Sequence, residues 1–419
     1  MVLVAVAWLG AKALSCWWWV FRTGEYSDTY YYFLEAREAV ATLAASPGSS
    51  AVAVLAQAMP EYPTPAAWLL LAPYLLGADD PTSYRNVIIA ITIVADAWFA
   101  FLLARNGGPA GVLAWVAFTA ALGGLPLLRL DMLPAVAAGA AVLLLVRRRG
   151  GRAGVAIALG TAWKVWPLIL APLLLAGRSR VRGFLALGVS GMLLALASVA
   201  AGGWERLFSP LTYQGERGLQ IEAVAALGPM WDWGRGLGTH VYYSSFHAYE
   251  VGGPGVQEAL DATRVAQVAA ALVCVAVVVR WVLKGTPTRP VAWLALSLVG
   301  AFVVTSPALS PQYLLWLAPF VAVLLGQAAA GGPQAPPWGL ALATAGLLAV
   351  LCVLTTIIYP VAYTSLLEQR STTDAALLVL TARNLGLVVL TLGSLVAAWR
   401  FTDGNHRKRR LATEQSRLE

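Results

Sequence analysis

The sequence predicts an all-α polytopic membrane protein, and three observations carry that prediction. The chain has 419 residues, of which 59% are hydrophobic and only 12% charged. A soluble domain carries about 25% charged residues, enough to cover a water-facing surface. The mean hydropathy is +0.70, and the apolar residues fall into blocks near 20 residues long, the length that crosses a hydrocarbon core of roughly 30 Å at 1.5 Å per residue. Several of the 17 tryptophans stand at block ends, where amphipathic rings settle at a bilayer interface.

Each element follows in chain order. Residues 2–21 read as a retained first span and not a cleaved signal peptide. The block lacks a basic start, carries Lys12 mid-way and ends in Trp17-Trp18-Trp19. A first external loop is expected over 22–84. Within it, Asp28 to Ala45 has helix-forming composition with an aromatic face at Tyr30 to Phe33, and the apolar run 66–77 is too short to span. Both read as helices lying along the outer interface. Spans are expected near 85–104, 110–127 and 131–146. Residues 153–177 form one apolar stretch with basic loops at both ends, so a single crossing would put one of those loops outside. Lys164 and Pro167 in its middle point to a broken helix that dips in and returns, which membranes tolerate where backbone lines protein or a cavity. Further spans are expected near 183–201, 262–283, 290–305, 312–330, 337–359 and 376–399, with a second external loop at 202–261. That makes about ten full spans plus the broken pair, in one membrane-embedded domain over 1–400 with a basic cytoplasmic tail at 401–419.

The net charge of +8 fits this topology without nucleic acid as a partner. Arginine collects in short loops, at Arg105, Arg147 to Arg149 with Arg152, Arg178 to Arg182, Lys284 and Arg289, and the tail Arg407 to Arg410. Such loops stay cytoplasmic by the positive-inside rule. Cys16, Cys274 and Cys352 lie inside apolar blocks and read as packing residues.

The opposite face holds a different set of charges: Glu25, Asp28, Glu61, Arg129, Asp131, Glu216, Arg217, Glu222, Asp232, Arg235, His240 and His247. A charge against the membrane is costly and is kept where it has a use. Asp28 reads either as a general base held at a helix end or as an N-cap. Arg129-Leu130-Asp131 reads as a phosphate-binding arginine with its orienting aspartate, or as an anchoring ion pair. Arg217, between Gly215 and Gly218, is placed to clamp a phosphate through paired N–H bonds, although a solvated loop is the commoner fate of such charges. Lys164, mid-block, must snorkel, lose its proton or meet an anion. Ser310-Pro311-Gln312-Tyr313 opens a late span on the same side. No P-loop, HExxH, GxSxG elbow, CxxC pair or Asp-x-Asp motif occurs, and no metal site or cofactor is expected.

These features in this order resemble the GT-C superfamily of membrane glycosyltransferases. More narrowly they resemble glycosyltransferase family 87, the polyprenol-phosphate-mannose-dependent α-(1→2)-mannosyltransferase-like proteins. The likeness rests on Ser27-Asp28 with Tyr31, Glu61-Tyr62-Pro63, Arg129-Leu130-Asp131, the segment Lys164 to Pro167, Arg217 to Glu222, and Ser310 to Tyr313. The chain departs from the family at Thr64, where the family usually has a second proline, and in the Ala/Ser/Gly-rich stretch Ala44 to Ala53. The resemblance implies a GT-C-like bundle of about 10–12 transmembrane helices, multi-pass in a bacterial plasma membrane. It implies inverting transfer of mannose from a polyprenyl-phosphate donor to a glycolipid or polysaccharide acceptor on the external face. Asp28 is then the base, Arg217, Lys164 and Arg129 hold the donor phosphate, and Asp131 or Glu222 orients them. Glu61, Tyr62, Gln312 and Tyr313 face the acceptor. The competing reading is a transporter or flippase for a lipid-linked sugar, in which Lys164 and the intramembrane Asp96 would carry the function.

Overall fold

The computed structural model describes residues 2–24, 27–45, 54, 57–176, 179–215 and 217–403. Glu25, Glu216, Arg178, most of the Ala/Ser/Gly-rich stretch and the basic tail Arg407 to Arg410 lie outside the described residues. The chain is a helical bundle. Helix α1 (Val2–Ser15) continues as a wider π turn to Arg22, and α2 (Asp28–Ala45) and α3 (Thr64–Leu75) form the first loop. Then come α4 (Pro81–Asn106), α5 (Gly108–Ala121), α6 (Met132–Val146) and α7 (Gly150–Trp163). A 3-10 segment, Trp166–Leu175, leads into α8 (Arg180–Gly215). A short α9 (Leu227–Gly234) precedes an antiparallel hairpin, β1 (His240–Tyr243) and β2 (Tyr249–Gly252). The chain closes with α10 (Val256–Leu283), α11 (Val291–Thr305), α12 (Tyr313–Ala330), α13 (Trp338–Thr356), α14 (Tyr363–Leu367) and α15 (Thr373–Phe401).

Seven helices among the described residues are long and apolar enough to cross a membrane: Val2–Arg22, Pro81–Asn106, Arg180–Tyr213, Val256–Leu283, Tyr313–Ala330, Trp338–Val361 and Thr373–Phe401. The spans expected at 110–127, 131–146 and 290–305 are shorter helices, Gly108–Ala121, Met132–Val146 and Val291–Thr305. At 1.5 Å per residue they reach about 21–23 Å, less than a hydrocarbon core. The physical reason lies at their ends: Gly123 turns left-handed at φ 64° after α5, and Ser306 leaves the helix in extended backbone ahead of Pro307 after α11.

Helices α6 and α12 form the centre. Lipid offers no hydrophobic drive for helix association, so close packing must supply it, and small residues permit that. Gly139 is such a point: a Cβ there would stand 2.5 Å from Pro319 Cβ and 2.6 Å from Phe99 Cζ. One buried charge pair ties α1 to α4 inside the bundle. Lys12 Nζ lies 2.6 Å from Asp96 Oδ2 and donates to Thr119 Oγ1 at 2.9 Å.

Residues 150–175 are the broken hairpin expected from the sequence. Helix α7 ends at Trp163, Lys164 is extended (φ -158°, ψ 140°), and the 3-10 segment runs back along α7. A Cβ at Gly160 would lie 3.1 Å from Pro167 Cβ, so the two arms touch. The ends of the hairpin meet as well, since Gly150 N donates to Ser179 Oγ at 3.2 Å. Both basic loops therefore sit at one end of the bundle. Arg147 bonds the carbonyl of Asn106 there, and Arg280 and Lys284 pair with Asp403 at 2.6 and 3.0 Å. Residues 129–131, 164, 217–222, 309–313 and 359–363 fall at the opposite end. The short helices share the basic end with the long ones and stop before them, which leaves a recess.

Candidate active site

The recess is a cavity of about 1090 Å³. Its floor is built from chain breaks. Ser27 adopts a left-handed backbone (φ 47°) and Asp28 follows as the first residue of α2. Asp28 is therefore inside the helix and its carboxylate turns to Arg129, with Oδ2 2.9 Å from Nη1. Arg129 Nε donates to Ser27 Oγ at 3.1 Å, and its guanidinium lies 5.4 Å from the centre of the Tyr359 ring. Arg129 is 8% exposed. Burial works against its charge, but Asp28 and the neighbouring acidic groups outweigh that and hold its pKa above the ordinary arginine value.

The expected pairing of Arg129 with Asp131 is crossed. Arg129 is extended (φ -128°, ψ 143°) and Asp131 is helical (φ -55°, ψ -20°), so the two side chains leave the backbone in different directions. Asp131 is fully buried. It accepts from Lys164 Nζ at 2.9 and 3.1 Å and from Trp316 Nε1 at 2.6 Å. Lys164 keeps a 20% exposed side chain above that buried carboxylate. It lies 5.4 Å from the Trp316 ring centre and 5.9 Å from those of Tyr62 and Tyr313. A cation with one face on a buried carboxylate and another open to a cavity is poised for a second anion.

Residues 217–221, which the sequence reading left as loop, run beside the β-hairpin and bridge it between Gln220 and Glu250. Val251 N donates to Leu219 O at 2.9 Å and Ile221 N to Tyr249 O at 3.2 Å. Gly218 N donates to Glu250 Oε1 at 3.2 Å. A Cβ at Gly218 would stand 2.5 Å from Glu250 Oε2, so glycine is required for this approach. Arg217 Nη2 donates to Phe246 O at 3.1 Å, and the guanidinium lies 5.7 Å from the centre of the Tyr213 ring. Glu222 was expected to orient one of the three cavity cations. Its Oε2 instead meets Arg383 Nη2 at 3.0 Å, and its backbone carbonyl accepts from Asn384 Nδ2 at 3.1 Å. Burial raises the Glu222 pKa and Arg383 opposes that rise.

Of the residues singled out from sequence, Asp28, Arg129, Lys164, Arg217 and Glu222 line this one cavity, together with Glu61, Tyr62, Gln312 and Tyr313. Asp131 lies beneath it. Tyr31 Oη donates to Glu61 Oε1 at 2.7 Å, and the hydroxyls of Tyr62 and Tyr32 are 3.0 Å apart. His247 lines the cavity; Asp232, Arg235 and His240 do not. Among the described residues no group of three His, Cys, Asp or Glu is placed to hold a metal ion.

Sequence reasoning missed two parts of the site. One is the pair Arg383 and Asn384, both fully buried inside the last span; an arginine inside an apolar block was the available signal. The other is the face of α2 that carries Glu35 and Glu38 toward the cavity. With Asp28 and Tyr31 they recur at helical spacing, which puts all four on one stripe. Asp96, the residue a transporter would use at mid-membrane, is 1% exposed and held by Lys12, Trp8 and Trp115. It does not line the cavity.

Neither the curated proteins nor the solved structures compared with the chain give a match. The sequence model of glycosyltransferase family 87 matches residues 60–311. That match covers well over half of the chain and takes in Glu61, Tyr62, Arg129, Asp131, Lys164, Arg217 and Glu222. Asp28 precedes it and is brought to it by the ion pair with Arg129. The chain belongs to glycosyltransferase family 87 and is a multi-pass membrane glycosyltransferase.

Proposed function

We propose that the protein transfers mannose from a polyprenyl-phosphate donor to a glycolipid or polysaccharide hydroxyl, with inversion, on the external face of the bacterial plasma membrane. The observation that supports this most is the meeting of Asp28, Arg129 and Lys164 in one recess, drawn from segments about 100 and 35 residues apart. The acceptor oxygen attacks the anomeric carbon, the bond from that carbon to the phosphate oxygen breaks, and the hydroxyl proton passes to the Asp28 carboxylate. The phosphate leaves with one more negative charge, which Arg129, Lys164 and Arg217 neutralise. Phosphate is already a good leaving group, so one base suffices.

The Asp28–Arg129 ion pair fits this order of events. Donor phosphate competes for the guanidinium, and the Asp28 carboxylate is freed to meet the acceptor hydroxyl as that contact loosens. The outward orientation rests on charge: Arg105, Arg147 to Arg149, Arg180, Arg182, Lys284 and Arg289 all lie at the end opposite the cavity. Purified protein in lipid vesicles, given labelled polyprenyl-phosphate-mannose and a membrane glycolipid extract, is expected to yield mannosylated product. Asp28→Asn is expected to lower the rate by about 100-fold or more. A drop of less than tenfold at equal protein content counts against the base assignment.

A further inference from the structure

One wall of the same cavity, termed the acidic lobe, differs in its chemistry from the floor. It is formed by three carboxylates, Glu35, Glu38 and Glu61, and by aromatic rings. None of the three carboxylates forms an ion pair with another described residue. Tyr31 and His247 ring centres are 4.8 Å apart, and Tyr213 meets Phe246 edge-on at 5.0 Å.

Two buried acceptor atoms lack donors. Glu61 Oε1 accepts from Tyr31, but its Oε2 is buried with no hydrogen-bond partner. Gln312 is 6% exposed, lines the same cavity, and its Oε1 has none either. Buried acceptors without donors are costly and mark a place where a donor is missing. The carboxylates also crowd one another. Burial raises the Glu35 pKa, and Glu61 and Glu38 raise it further.

We propose that this lobe is the acceptor subsite and that it takes an uncharged pyranose, read through its hydroxyl donors. The proposal rests on the glycosyltransferase reading and names the acceptor's chemical class. Sugar hydroxyls donate to acceptor-only carboxylates, and the C–H faces of a pyranose pack on aromatic rings. An acceptor bearing carboxylate or phosphate on the reacting sugar meets like charge from three glutamates. The stripe that carries Glu35, Glu38 and Tyr31 begins with Asp28, so a sugar held by the lobe presents a hydroxyl toward the base.

The test reads binding, not transfer. The protein is placed in nanodiscs and ligand-observed saturation-transfer NMR measures uncharged trisaccharides of mannose, glucose and galactose against trigalacturonic acid. At least one uncharged trisaccharide is expected to bind wild type and Asp28→Asn alike, at least tenfold tighter than the uronic trimer. Glu35→Gln with Glu38→Gln is expected to narrow that gap. Glu38 is exposed, so Glu38→Gln alone serves if the pair destabilises the fold. A lipid-linked form of the best trisaccharide binding more tightly than the soluble one assigns the acceptor to a glycolipid; equal binding assigns it to a polysaccharide end. Binding of the uronic trimer equal to or tighter than the uncharged ones overturns the proposal. So does absence of binding by all three uncharged sugars. Absence of transfer by the wild type with this selectivity intact instead faults the proposed transfer reaction and leaves the subsite standing.

Discussion

Lys164 separates structural from chemical roles within one side chain. Its Nζ neutralises the fully buried Asp131, and removing one partner of a buried pair costs about 3–5 kcal/mol. Lys164→Met is therefore expected to lower thermal stability sharply and to abolish transfer. In Lys164→Met with Asp131→Asn, no buried charge is left alone. Thermal unfolding of the purified double variant is expected to recover most of the lost stability while transfer stays near zero. Recovery of transfer would remove Lys164 from the phosphate site. Glu35 gives a pH-dependent case. Its folded-state pKa lies above the ordinary glutamate value near 4.3, because burial and then Glu61 and Glu38 disfavour its charge. The folded state thus gains from its protonation, and that contribution is lost as pH rises through the folded pKa. Glu35→Gln is expected to raise the unfolding temperature at neutral pH and to leave it unchanged below about pH 4. The residues of the floor were legible as candidates because charges are rare in this chain. Their partners were not. Arg129 and Asp131 are two apart, yet a switch from extended to helical backbone sends one to Asp28 and the other to Lys164.

At the scale of elements, the hairpin 150–175 was legible because its charges left a contradiction. One crossing would have split two basic loops across the membrane, and the break at Lys164 removes the conflict. Close glycine contacts hold the hairpin in place. A Cβ at Gly154 would stand 2.2 Å from the Gly183 carbonyl oxygen of α8, a backbone atom that cannot rotate away. Gly154→Val is expected to separate α7 from α8, seen as loss of monodisperse protein in gel filtration, whereas Gly188→Val, with nothing within 4 Å, is expected to behave as wild type. The bridge that the segment around Gln220 makes to the hairpin was not legible. The segment's partners, Tyr249 to Val251 and Pro307, lie far along the chain, and so short a run carries no alternation to reveal them. The early end of α5 was also hidden, whereas α6 and α11 match their expected bounds within one residue. Hydropathy continues across Gly123, where the helix itself stops.

For the whole molecule, the fold class was legible because lipid demands long apolar helices whose backbone bonds are internal. The depth of the recess was not, since it arises from which helices end early. Orientation is directly measurable. Asp79 and Arg148 are exposed at opposite ends of the bundle. A membrane-impermeant maleimide is expected to label Asp79→Cys in intact cells and Arg148→Cys only after permeabilisation; the reverse pattern would turn the cavity inward. The central claim is that one carboxylate, Asp28, activates the acceptor across the sugar from a phosphate held by Arg129 and Lys164. The anomeric configuration of the product, read by NMR of the purified glycan, tests it most directly. The account predicts the anomer opposite to that of the donor, and a product that retains the donor's configuration would contradict it.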